Sequence, residues 1–304
     1  MSQALVFHIG LQKTGTSSIQ VMLAGSQDYL RSQGFFYPQL PAPQDPARIW
    51  LSPFRHNIIA GTYADYISAF PTLDAAQRQA FWESMAAEAA SPILSAEDFS
   101  RQNDFSRFAA DFAPYDVDVV MYVRRQDHFI ESLYNQRNKI LVSRGDPSFL
   151  NEAFLTEGDV FHFLRQQRYV PVLNYPKTLG RIRSQLSPKK FHVRVFDRSQ
   201  LVDGDVCADF AAIFGWDVGK MFPPGREANG SISNVVLENL KRIFLNKGDD
   251  AAREELVRIN AALEAGEDLS GSYQILAQST RSDVLRQYRS INAELEADYG
   301  VCFT

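Results

Sequence analysis

Two cysteines in 304 residues, Cys207 and Cys302, are too few and too far apart for a metal-binding spacing or a disulfide framework. They read as free thiols of a reducing compartment. A basic excess is also missing: 31 Lys and Arg face 36 Asp and Glu, for a net charge of −5. That excludes the broad electrostatic footprint of a nucleic-acid-binding protein. It also weighs against a strongly polyanionic partner, unless a local basic cleft overrides the balance. No apolar stretch approaches the ~20 residues of a membrane span. No basic, apolar, small-residue signal opens the chain. A soluble, cytoplasmic protein is the expectation. Internal repeats and low-complexity tracts are lacking too. What is present is 45% hydrophobic and 12% aromatic residues, ample for a packed core. The length suits one large domain or a domain with an appendage.

Residues 4–20, ALVFHIGLQKTGTSSIQ, organise the chain. Ala4 to Ile9 is a short apolar run with β-branched and aromatic members, the pattern of a buried strand. A glycine-containing loop follows, Gly10 to Ser17. From Thr16 the pattern turns helical, with Ile19, Leu23 and Leu30 near one face. Strand, glycine loop and helix together hold phosphate, because loop N–H groups and the positive end of the helix dipole converge on one spot. Gly10 and Gly15 can take positive φ and let an anion approach closely.

A nucleotide-hydrolysing P-loop reads G-x-x-x-x-G-K-[ST]. Gly10, Gly15 and Ser17 keep that spacing, but Thr16 stands where the lysine belongs. The loop's lysine is Lys13, two residues before the second glycine. Lys13-Thr14-Gly15-Thr16-Ser17 after an N-terminal strand resembles the 5′-phosphosulfate loop of the sulfotransferases that use 3′-phosphoadenosine 5′-phosphosulfate. The resemblance implies sulfuryl transfer without a catalytic metal. It implies that Gln12, Lys13, Thr14, Gly15, Thr16, Ser17 and Ser18 contact the donor, with Lys13 facing the leaving group.

Apolar strands at 92–96, 118–123 and 191–196 alternate with helices, and a short extended segment falls at 34–38. Helices are expected at 16–32, 54–70, 73–90, 126–141, 175–186 and 205–214. Strands separated by helices imply an α/β fold: a central parallel sheet flanked by helices in three layers, the P-loop architecture. The expected organisation is one domain over 1–304, with a core at about 4–235 and a helical C-terminal extension at about 234–304. Ligands in such sheets bind at the carboxyl ends of strands. That rule collects Gly10 to Ser17, Glu97 to Ser100, and Arg124 on one rim.

At the end of the 118–123 strand, Arg124 is followed eight residues later by Ser132. An arginine fork and a hydroxyl converging from strand end and helix suit a phosphate monoester. Arg-x7-Ser with the trailing Ser-Leu-Tyr-Asn-Gln136 resembles the 3′-phosphate segment of the same sulfotransferases, in their bacterial, carbohydrate-sulfotransferase-like branch. By that resemblance Arg124 and Ser132 hold the donor's 3′-phosphate. Asn229 and Ser231, in a loop resembling the family's N-x-S-[LI]-S stretch, would close over the nucleotide, although turn chemistry explains them equally well.

A hydroxyl or amine acceptor must lose a proton as it attacks sulfur. In the family the base often ends the strand before the 3′-phosphate strand, which makes Glu97 the first candidate. His56 is the second, because imidazole titrates near neutrality. Asp98 is third, and points away if Glu97 faces the cleft. His128 is expected to shield the cleft or face solvent, and His8 to be packed and hydrogen-bonded. Arg198 reads as a salt-bridge residue. The acceptor is a carbohydrate, lipid or small metabolite, and the segments at about 40–75 and 140–175 that would bind it match no readable pattern. The amphipathic tail reads as a docked or homodimerising surface. Two other readings stand: a P-loop kinase with Glu97 and Asp98 serving a metal, and a non-catalytic nucleotide-binding scaffold.

Overall fold

The structure is a computed structural model. It describes residues 3–40, 54–64, 71–143, 172–223, 233–265, 267, 269 and 276–303. The chain forms two compact units. The first contains residues 1–124, 174–225 and 291–304, and the second residues 125–173 and 226–290.

The first unit is built on β1 (Gln3–Ile9), β2 (Phe35–Phe36), β3 (Ser91–Ala96), β4 (Tyr115–Val123) and β5 (Lys190–Val195). They form one five-stranded sheet in the order β2-β3-β1-β4-β5, with every pairing parallel. Around it lie α1 (Thr16–Gly25), α2 (Gln27–Ser32), α3 (Asn57–Thr62), α4 (Ala75–Ala86) and α5 (Ala109–Phe112). Further along are α6 (Gln126–Ser143), α7 (Tyr175–Leu186) and α8 (Val206–Ile213). The chain closes with α9 (Asn234–Glu264), α10 (Gln278–Gln287) and α11 (Arg289–Tyr299). No helix among the described residues is long and apolar enough to cross a membrane.

Successive side chains of a strand point to opposite faces, and β1 buries both. Val6 packs with Ile19, Met22 and Leu23 of α1 and Phe210 of α8. Phe7, on the other face, meets Phe99, Phe108 and Phe112 with ring centroids 4.4, 5.5 and 5.1 Å apart. Each such ring, fully withdrawn from water, contributes about 1.5–3 kcal/mol. Helices and turns therefore cover both sheet faces, as the near-continuous apolar strands demand.

Three helix boundaries differ from the sequence expectation, the first for a tertiary reason. The helix expected over 16–32 divides at Ser26. A Cβ on Gly25 would lie 2.4 Å from the Phe222 ring, and Ser26 Oγ accepts from the Phe222 N–H at 2.8 Å. The segment from Phe54 yields a helix only over Asn57–Thr62, and residues 65–70 lie outside the described residues. The expected helix at 73–90 shortens to Ala75–Ala86, started by an Asp74–Gln77 capping box. By contrast, α7 begins where Asn174 caps Lys177 N–H, and α8 where Asp205 caps Cys207 and Ala208. Cys207 is buried and Cys302 exposed, both as free thiols.

In the second unit, α9 bends at Gly248, whose φ of 82° no helix interior adopts. There, too, α6 and α10 are joined through charge. Arg281 reaches Asp127 at 3.0 Å and Glu131 at 2.5 Å, and Arg125 grips the same buried Asp127 at 2.8 Å. Burial pushes the Asp127 carboxyl up, but the arginines outweigh it and hold the group below its ordinary range.

The first unit has a comparable anchor. Asp209, fully buried on α8, accepts from Tyr122 Oη at 2.8 Å, from Val202 N–H at 3.2 Å, and from the Arg194 fork. Burial raises its carboxyl, yet these donors leave it below the usual carboxylate value. Asp209→Ala is expected to destabilise the protein by about 3 kcal/mol, the low end for a broken buried pair because Arg194 keeps partial solvent contact. Urea unfolding at neutral pH measures this. The difference from wild type should persist at pH 5 and shrink only as pH falls into the carboxylate range.

Candidate functional site

Residues Ile9, Ala96 and Met121 lie side by side in the sheet. The segments that follow, from Gly10, Glu97 and Tyr122, therefore emerge at one level. A hydrogen bond of 2.9 Å from Gly10 N–H to the Ala96 carbonyl continues the pairing one step past the strands. Gly10 has no room for a side chain: a Cβ would lie 2.6 Å from Thr16 Cγ2 and 2.9 Å from the Ala96 oxygen.

The loop then turns through two left-handed residues, Lys13 at φ 64° and Gly15 at φ 75°. For glycine this is free, and a Cβ at Gly15 would in any case strike Val206 Cγ1 at 2.7 Å. For lysine it costs roughly 1–2 kcal/mol. The Lys13 carbonyl accepts from Arg124 Nη1 at 2.8 Å. The Arg124 guanidinium also lies over the Phe196 ring, 5.4 Å from its centroid, and Tyr175 Oη donates to the Arg124 carbonyl at 2.7 Å.

Inside the loop the polar groups divide. Thr14 and Thr16 are buried, and both hydroxyls donate to the Leu11 carbonyl, at 2.6 and 3.2 Å. They fasten the loop to itself. Gln12, Lys13, Gly15, Ser17 and Ser18 keep partial solvent contact. The helix that starts at Thr16 has Gly15 at its cap and no side-chain cap on its first N–H groups. Its positive end is thus left to another hydrogen-bond acceptor.

Glu97 heads a 3₁₀ turn over Glu97–Arg101 at the carboxyl end of β3 and is half-buried. Asp98 is buried beside Arg101, 3.7 Å away.

His56 occupies a different kind of position. It is fully buried, with Nδ1 accepting from Ser95 N–H at 3.0 Å and Nε2 donating to the Pro38 carbonyl at 2.7 Å. Its own N–H reaches the Ser95 carbonyl at 3.3 Å. His56 therefore stitches the edge of β3 beyond the short β2, and neither ring nitrogen is left for an acceptor's proton. Burial pushes its pKa down to about 4, against a smaller upward pull from the Pro38 carbonyl. His8 is buried against Tyr122 and Phe210, with Nδ1 2.8 Å from Ser95 Oγ. Burial takes it to about 3.

Ser132 is half-buried on α6, in the second unit. His128, in the same unit, lies 2.8 Å from Arg125. Asn229 and Ser231 lie outside the described residues, as does most of 140–175. Arg198 is exposed, and the ion pairs of β5 are those of Arg194 with Asp209 and Lys190 with Asp118. Phe196 was not anticipated as part of the site. The available signal was its place one residue beyond β5, on the same rim. Among the described residues no group of three or more His, Cys, Asp and Glu could hold a metal ion.

The first unit is thus a parallel α/β domain whose glycine loop and arginine share one sheet rim. No protein-family model matches the chain, and no curated protein matches it. A sulfotransferase structure from Alicyclobacillus acidocaldarius is similar over 98% of this chain and 96% of that one, at 10% identity and a TM-score of 0.43.

Two histidines kept neutral by burial make stability depend on pH with a defined sign. As pH falls below about 6.5 the unfolded chain takes up their protons first, so the contribution is complete above that value and lost toward pH 4. The unfolding free energy is expected to drop by roughly 1–4 kcal/mol between pH 7 and pH 5. Urea titrations at each pH check the drop. Proton NMR should find two imidazoles that stay neutral at pH 5.

Proposed function

We propose that the protein is a sulfotransferase that moves a sulfuryl group from 3′-phosphoadenosine 5′-phosphosulfate to a hydroxyl or amine. The observation that carries this reading is the hydrogen bond from Arg124 to the Lys13 carbonyl. It joins a strand-end arginine fork, suited to a phosphate monoester, to a glycine loop suited to a second anion. Two anion-binding elements at one rim fit a donor charged at both its 3′ and 5′ positions. ATP lacks the 3′ group.

In this reading the N–H groups at the start of α1, with Gln12, Ser17 and Ser18, receive the 5′-phosphosulfate. Thr14 and Thr16 support them from within the loop. Lys13 neutralises charge that develops on the leaving phosphate, and Arg124 takes the 3′-phosphate. By the Arg-x7-Ser spacing, Ser132 is its expected partner, and Asn229 and Ser231 are the expected cover. Glu97 accepts the acceptor's proton as its oxygen or nitrogen bonds to sulfur and the sulfur–oxygen bond to the phosphate breaks. His56 is a structural residue in this scheme. The acceptor class is a carbohydrate, lipid or small metabolite. A kinase reading is disfavoured by Thr16, which stands at the Walker lysine position and is buried with its hydroxyl turned to Leu11.

Thermal-shift measurements with adenosine 3′,5′-bisphosphate, ATP and ADP test the donor. Strong metal-free stabilisation by the bisphosphate is expected, and a preference for ATP with Mg2+ would instead favour a kinase. Lys13→Ala is expected to lower kcat by about 10²-fold or more, as for other single charge-stabilising groups. Near-normal turnover in that variant would remove Lys13 from the chemistry. Glu97→Gln should lower kcat by about 10²-fold or more while leaving bisphosphate affinity within about twofold, a separation that isothermal calorimetry beside steady-state rates resolves.

A further inference from the structure

Within the first unit, several observations converge on Arg124. Its Nη1 donates to the carbonyl of Lys13, the loop's non-glycine residue with left-handed φ. Its guanidinium rests on Phe196. The same ring backs the other left-handed residue, since Phe196 Cε2 stands 3.0 Å from where a Cβ on Gly15 would be. Phe196 is itself tied to the rim by its N–H on the Val123 carbonyl at 2.7 Å. Tyr175 fixes the Arg124 backbone from the other direction.

We propose that Arg124 is a positioning residue for the glycine loop, in addition to being a ligand for the donor's 3′-phosphate. It holds the Lys13 peptide in its strained conformation and so sets the loop N–H groups that receive the 5′ end. This rests on the sulfotransferase reading for the identity of the ligand, but not for the clamp itself. An arginine that served the 3′-phosphate alone would gain nothing by engaging the loop backbone. Lysine could supply the charge but not a planar fork that stacks on Phe196 while donating sideways to a carbonyl. Because one guanidinium serves both ends, order in the loop and occupancy of the 3′ site are linked, each favouring the other.

The test compares wild type with Arg124→Gln by hydrogen–deuterium exchange, without ligand, and by calorimetry with two nucleotides. Exchange of the amides from Leu11 to Ser17 is expected to rise several-fold in the variant, with β1 and β4 unchanged. Adenosine 5′-monophosphate has no 3′-phosphate, yet it should bind the variant about tenfold more weakly, as fits loss of a charged hydrogen bond. Unchanged loop exchange together with unchanged monophosphate affinity would overturn the clamp. If the bisphosphate alone then bound more weakly, Arg124 would be a 3′ ligand only and the sulfotransferase reading would stand. Wild type that binds no bisphosphate defeats the sulfotransferase reading, while the exchange comparison still decides the clamp. Phe196→Leu keeps the charge and removes the support beneath it, so it should loosen the same amides by a smaller factor. Should Arg124→Gln not fold, Phe196→Leu decides alone, and loop exchange equal to wild type would reject the proposal.

Discussion

Parallel pairing of β1 with both β3 and β4 is the constraint from which the rest of the first unit follows. In a parallel sheet all carboxyl ends lie on one side, so whatever leaves those ends shares an edge. The register puts Ile9, Ala96 and Met121 at one height. The glycine loop, Glu97 and Arg124 then follow within three residues of that line. A slip of one residue would turn Val6 and Phe7 to each other's faces and exchange two unlike cores. The apolar packing on the two sides of the sheet therefore fixes where the polar rim falls.

The loop divides labour between side chain and backbone. Thr14 and Thr16 donate inward to one carbonyl, while Lys13 and Gly15 take left-handed φ. Hydroxyls that could have served a ligand hold the frame instead. In the proposed reading the frame offers N–H groups to the donor, and these have no rotamers to lose when an anion arrives. A backbone cradle of this kind discriminates by shape and charge, whereas a side-chain cradle would need ordering first.

Much of the fold was legible in the sequence because its signals are local. Apolar runs at 4–9, 92–96 and 118–123 read as buried strands, and each lies in one. The helices expected at 175–186 and 205–214 form as Tyr175–Leu186 and Val206–Ile213, each started by a polar cap, Asn174 and Asp205. Contacts between distant residues left weaker traces. Phe222 divides α1 from α2 from nearly 200 positions away, and Gly25 alone hints at it. His56 sits in an apolar segment and looks titratable. Its partners, Ser95 and Pro38, are backbone groups that no side-chain pattern reveals. Arg124 read correctly as a strand-end cation, but its attachment to the Lys13 carbonyl required the backbone conformation of the loop. The same holds for Thr14, whose identity suggests a ligand donor and whose geometry makes it a fastener.

One chain of contacts runs from the rim to the last residues. Phe303 packs on Tyr175, with ring centroids 6.2 Å apart, and the Tyr175 hydroxyl holds the carbonyl of Arg124. Tyr299 is stacked under Arg183 and edge-on to Phe191, which fastens the same terminal stretch to α7 and β5. The 299–303 stretch is thus tied to the rim through the Tyr175 phenol, and Gln200 holds it as well by donating to the Cys302 carbonyl at 3.3 Å. A change at Phe303 is therefore felt at the carbonyl of Arg124 through the Tyr175 hydroxyl, at a site far from it in sequence.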